Sequence, residues 1–190
     1  MASVTSTYIS PEEYLERERK AEFRSEYFRG EIIAMSGGSR YHGRIITNLV
    51  RELGQQLKHR DCNVYSSDLR VAVSSAGMYA YPDVVVTCGE EKFIDETLDT
   101  LLNPIVVVEV SSDSTKKYDH GQKFESYRSI SSLMEYLMIA QDKVHVEQYA
   151  RQPDDHWLLT DHRDATSCIS LASVGIELRL SDVYEKVGIS

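Results

Sequence analysis

The chain has 190 residues, a mass of 21.6 kDa, 42% hydrophobic and 27% charged side chains, and a net charge of −9. That size suits one domain over residues 1–190, burying roughly 70% of its unfolded surface, and the composition excludes a disordered chain, a collagen-like repeat and a disulfide scaffold. The acidic balance argues against a passive phosphate-coating protein, which would be basic.

The charge is uneven. Residues 1–60 carry ten basic and eight acidic side chains, residues 61–190 eleven and twenty-two. No apolar run approaches the roughly 18–20 residues that span a bilayer. Met1 to Ser10 lacks the basic and apolar regions of a secretory signal. Cys62, Cys88 and Cys168 form no CxxC and read as reduced thiols of a cytoplasmic protein without structural zinc.

Ser10-Pro11-Glu12-Glu13 predicts a helix start: an N-cap, a first-turn proline and a capping-box glutamate. Tyr14, Leu15 and Ala21 supply its buried side. Glu26 to Met35 reads as two short strands around Arg29-Gly30, and Ser36 to Ser39 as a loop. Ile45, Ile46, Leu49, Leu53 and Leu57 recur at spacings of three and four, so a helix is expected from about Arg40 to His59. Strands follow at Val64-Tyr65 and Leu69 to Val73, then a turn at Ser74 to Gly77.

Val84-Val85-Val86 and Ile105 to Val108 are continuous β-branched runs, suited to strands covered on both faces. Residues 89–103 between them read as a charged loop or short helix. A helix is expected over 113–130. Strands are expected at Leu133 to Ala140, Val144 to Tyr149, Trp157 to Thr160, Cys168 to Leu171 and Ile176 to Leu180. The fold class is α/β: a central mixed β-sheet flanked by helices, with a C-terminal β extension.

Asp83 opens one buried strand and Glu109 closes the other. If the strands are neighbours, both carboxylates reach one sheet edge. With a backbone carbonyl such as that of Val110, they would suit Mg²⁺ or Mn²⁺. Such an ion activates water and neutralises charge on a phosphodiester. The plainer reading is that Asp83 caps a turn and Glu109 forms a strand-end salt bridge. Spacing alone leaves both open.

Pro82-Asp83 followed by Glu109-Val110-Ser111 resembles the PD-(D/E)xK nuclease superfamily, in the version of the Uma2 family of restriction-endonuclease-like proteins. The likeness covers about residues 8–187. It includes Tyr27 to Ile32 as an early hairpin, His42, Ile45, Asn48 and Leu49 on a helix, and Asp119, Lys123 and Tyr127 on a later helix. Glu135-Tyr136-Leu137 and Ile176 to Leu180 fit two later strands. The resemblance implies a restriction-endonuclease-like core and a Mg²⁺-dependent (or Mn²⁺-dependent) DNA endonuclease acting as a homodimer. The β-rich end from Val144 to Leu180 is the expected dimer interface.

One departure is Ser111, where the superfamily carries a lysine. The resemblance implies that the lysine has moved to Lys123, although Lys123 also suits an i,i+4 pair with Asp119. Lys116 and Lys117 remain candidates, more for phosphates or solvent than for catalysis. Glu26 matches an early family glutamate and is the third acid, with a surface salt bridge as its alternative. His42 is assigned to phosphate or water, or else to helix capping or loop packing. Arg40, Arg44 and Arg51 are candidates for DNA phosphates, and Gln122 a weak one for the site. The Arg17, Arg19, Lys20 and Arg24 group is interleaved with acids and reads as a solvated face. His59, His120, His145, His156 and His162 show no ligand spacing and read as surface or structural. The competing functions are a catalytically inert DNA- or protein-binding module of the same fold, and a hydrolase of another phosphoester.

Overall fold

The computed structural model describes residues 8–111 and 119–189. Helix α1 (Pro11–Glu18) is capped by Ser10, whose side chain accepts from the Glu13 amide at 3.2 Å. The Glu13 carboxylate pairs with Arg17. Tyr14, Leu15 and Glu18 form the buried side, while Ala21, expected there, lies beyond the helix and is exposed.

The chain then forms β1 (Ser25–Phe28), β2 (Glu31–Ala34) and α2 (Arg40–Leu57). Strands β3 (Cys62–Ser66), β4 (Arg70–Val73), β5 (Met78–Ala80), β6 (Val84–Cys88), β7 (Thr100–Leu101) and β8 (Val106–Ser111) follow. A π-type turn (Asp119–Lys123) leads into α3 (Phe124–Tyr127). The chain continues through β9 (Glu135–Ala140), β10 (Val146–Arg151), β11 (Trp157–His162), β12 (Cys168–Leu171), β13 (Ile176–Arg179) and α4 (Leu180–Val183).

The central sheet has six strands in the order β11-β10-β9-β8-β6-β3. Its β8–β9 pair is parallel and the others antiparallel, so the sheet is mixed, as expected. A second sheet runs β2-β1-β5-β4-β7, and β12–β13 form a separate hairpin.

The two valine runs are apolar throughout because they are covered on both sides. Val84, Val86, Val106 and Val108 pack with Ile45, Leu49, Leu53 and Leu57 of α2 and with the β12–β13 hairpin. Val85 and Val107 face the second sheet through Val71, Val73, Met78 and Leu101. Two polar residues fasten the periphery. Asn48 donates to the Val183 and Glu185 carbonyls, each at 2.9 Å. Buried Glu135 accepts from the Ala172 amide, Ser173 and Gln148.

Three expectations need correction. Residues 89–103 hold no helix but the short strand β7, parallel to β4. The helix expected over 113–130 ends by Tyr127 among the described residues. Cys62 and Cys88 are not both free thiols: they are register partners on β3 and β6 and are joined by a disulfide. Antiparallel pairing brings together cysteines that share no local motif. Cys168 is free and exposed. Among the described residues no helix is long and apolar enough to cross a membrane.

Candidate active site

The β6–β8 register ends at Val84 opposite Val108. One step further along each chain stand Asp83 and Glu109. Pro82 has no amide hydrogen with which to extend the ladder. Asp83 Oδ2 instead accepts from the Val110 amide at 2.7 Å, so the carboxylate completes the pairing at the strand end. His42 Nε2 lies 3.1 Å from both Asp83 oxygens. The Ser39 N-cap accepts from the His42 amide, which fixes the imidazole in the first turn of α2.

Glu109 lies on the opposite face of β8 from Val108 and Val110, toward the second sheet. Its Oε1 is 3.2 Å from Lys123 Nζ and accepts from the Tyr127 hydroxyl at 3.4 Å. Lys123 Nζ is also 2.9 Å from Glu26 Oε1. All three charged side chains are at least nine-tenths buried. Lys123 ends the π-type turn, a wider helical winding that recurs at functional sites. Tyr127 stands one helical turn further on, so both reach the same carboxylate.

Glu26 reaches this cluster because β1 pairs with β5, beside Ala80. Its Oε1 also accepts from the Tyr81 amide at 3.3 Å. A buried network holds that segment just before Pro82. Arg70 donates to Thr100 and to the Tyr81 hydroxyl, and Tyr81 donates to Glu18. Burial first, with Glu18 assisting, pushes the Tyr81 phenol up to about 12 against the opposing pull of Arg70. It therefore stays a neutral donor at ordinary pH.

The structure thus brings Glu26, Glu109 and Lys123 into one buried cluster, and Asp83, His42 and the Val110 amide into a second at the end of the neighbouring strand. Glu26 is not in a surface salt bridge, and His42 is not merely a capping residue. Arg40 and Arg44 are exposed on the first turns of α2, and Arg40 lies over the Tyr41 ring. Arg51 is a weaker DNA candidate than expected, since Glu52 and Glu185 both pair with it. Gln122 is exposed and lines a cleft with Phe28, Arg29, Ser75 and Ser129. Arg17, Arg19, Lys20 and Arg24 all pair with acids. Lys116 and Lys117 lie outside the described residues. Sequence reading gave no role to Tyr127 or Tyr81; spacing from Lys123 was the available signal for the first, and position next to Pro82 for the second.

The donor set is two carboxylates beside a strand-end backbone, the chemistry of a hard divalent cation. The ammonium and imidazole around them supply positive charge and proton-carrying groups.

The Uma2 family, described as "putative restriction endonuclease", matches residues 11–181. An uncharacterized protein of Synechocystis sp. is 39% identical over 161 residues, 85% of this chain and 91% of its own. A second from the same organism is 34% identical over 176 residues, 93% of this chain and 91% of its own. A crystal structure from Anabaena variabilis, described as "a putative nuclease belonging to DUF820", superposes with a TM-score of 0.78 at 18% identity. That match covers 94% of this chain and 99% of the other.

Proposed function

The chain belongs to the Uma2 family, and on that premise we propose that it is a Mg²⁺-dependent endonuclease hydrolysing DNA phosphodiester bonds. The observation that carries this reading is Lys123, buried between Glu26 and Glu109 next to the strand end that bears Asp83. Apolar side chains of similar volume would often be no less stabilising there than a buried ionic cluster, so its presence points to chemistry. The family description and the nuclease fold of the Anabaena protein support the same class.

A Mg²⁺ or Mn²⁺ ion fits Asp83, Glu109 and the Val110 carbonyl, which leaves the strand on the same edge as the amide bonded to Asp83. Such an ion supplies an activated water and charge neutralisation at the scissile phosphate. Lys123 takes the role of the lysine displaced by Ser111: its ammonium holds Glu109 and stabilises charge on the phosphoryl oxygens. Glu26 and Tyr127 fix Lys123 and Glu109 respectively. His42 orients Asp83. Arg40, Arg44, Lys116 and Lys117 take flanking phosphates.

Cutting both strands calls for two such sites, which a homodimer supplies. The β-rich end carries exposed Leu158 and Leu159 on the outer strand β11. A DNA substrate implies a cytoplasmic site of action. The net charge of −9 favours the second reading only in its protein-binding form, a non-cutting module of the same fold.

A calorimetric Mn²⁺ titration separates the two readings. The Asp83→Asn/Glu109→Gln variant, checked for folding, is expected to bind one equivalent fewer than the wild type. Equal stoichiometry would remove the metal from this site and favour the non-cutting module.

A further inference from the structure

A second cluster of ligating side chains lies on the sheet that carries Glu109. Glu147 on β10 is the direct register partner of Asp161 on β11. Like charges placed directly opposite each other on a sheet repel. His145, two residues before Glu147, projects to the same face. Its Nε2 lies 2.5 Å from Asp161 Oδ1 and 3.8 Å from Glu147 Oε1. One ligand atom from each of the three residues falls within 4.8 Å of the others.

We propose that His145, Glu147 and Asp161 form a binding site for a Zn²⁺-type transition-metal ion, distinct from the Asp83–Glu109 site. One imidazole nitrogen with two carboxylates is a borderline donor set, suited to Zn²⁺ and its first-row neighbours more than to Mg²⁺. Ligand bonds of about 2.0–2.2 Å in a tetrahedral set place donors about 3.4 Å apart, so small side-chain rotations that part His145 from Asp161 and bring Glu147 in would admit an ion.

The outer oxygens of both acids are already held. Tyr149 donates to Glu147 Oε2 at 3.2 Å, and Arg163 donates to Asp161 Oδ2 at 2.8 Å. Those bonds turn Oε1 and Oδ1 toward the imidazole, as outer partners do around metal ligands. His145 and Glu147 are largely buried and Asp161 is half exposed, which leaves an approach from solvent.

This site is not the second ion of a two-metal nuclease centre. Glu109, Met138 and Glu147 stand in register across β8, β9 and β10. Two strand spacings put Glu147 about 10 Å from Glu109, against about 3.5–4 Å between paired catalytic ions. The bound ion would relieve the opposed acids and pin the outer strand β11 to β10. In the metal-free protein a hydrogen bond between His145 Nε2 and Asp161 Oδ1 accounts for the short contact.

Zn²⁺ titration of the folded Asp83→Asn/Glu109→Gln variant distinguishes these and leaves the nuclease reading aside. One Zn²⁺ per chain is expected. Adding Asp161→Asn or His145→Gln should abolish it, and Tyr149→Phe should weaken it by about tenfold. Asp161→Asn in the otherwise wild-type chain should likewise remove one equivalent, so the result does not depend on the double variant folding. No Zn²⁺ bound by the folded protein, or equal binding with and without Asp161→Asn, would overturn the proposal.

Discussion

A lysine ammonium buried against two carboxylates is held by its partners rather than by solvent. Removing it takes the ammonium from between two buried carboxylates, Glu26 and Glu109. Lys123→Met is therefore expected to cost about 3–5 kcal/mol in urea denaturation, and Glu26→Gln added to it should restore part of the loss. An unaltered midpoint for Lys123→Met would contradict the buried pairing. Asp99 makes a different prediction. Arg19, and behind it Thr100 and Arg70, hold its carboxyl well below the ordinary value of 3.8 against the penalty of burial. A carboxyl lowered in the folded state stabilises the protein above that ordinary value. The contribution is lost as pH falls through the lowered one. Asp99→Asn should flatten the acid limb of the stability curve below about pH 4, as read by urea midpoints at stepped pH.

At the level of elements, legibility followed periodicity. The α2 stripe of Ile45, Leu49, Leu53 and Leu57 announces a helix and its buried face. Truncating its centre, Leu53→Ala, should cost about 2–5 kcal/mol, measurable as a lower unfolding midpoint. The valine runs of β6 and β8 were equally legible, because coverage on both faces demands apolar residues at every position. Strands β5 and β7 have three and two residues, too few to show a period. The later helix was drawn too long because its apolar residues continue to Ile130 while the winding ends at Tyr127. Within the site, Asp83 and Glu109 stood out as acids bounding apolar runs. The Glu26–Lys123 pair depends on how one sheet stacks on the other, and the His145–Glu147–Asp161 cluster on the β10–β11 register. Neither leaves a local pattern in the sequence.

Across the whole molecule, the proposed nuclease activity requires an acidic chain to bring an anionic polymer to carboxylates. On that proposal, basic side chains near the opening of α2 carry the approach. Arg44→Ala should weaken DNA binding at every sequence alike and reduce the slope of log affinity against log salt by about one. An unchanged slope in fluorescence anisotropy would move the phosphate contacts elsewhere.

The central claim is that Asp83, Glu109 and Lys123 together cut DNA. Nicking of supercoiled DNA in Mg²⁺, followed on gels for the wild type and for folded Asp83→Asn, tests it most directly. The account predicts cleavage by the wild type, its loss on chelation, and a fall of at least about 10²-fold in the variant. Cleavage by Asp83→Asn at the wild-type rate, or none by the folded wild type with Mg²⁺ or Mn²⁺ supplied, would contradict it.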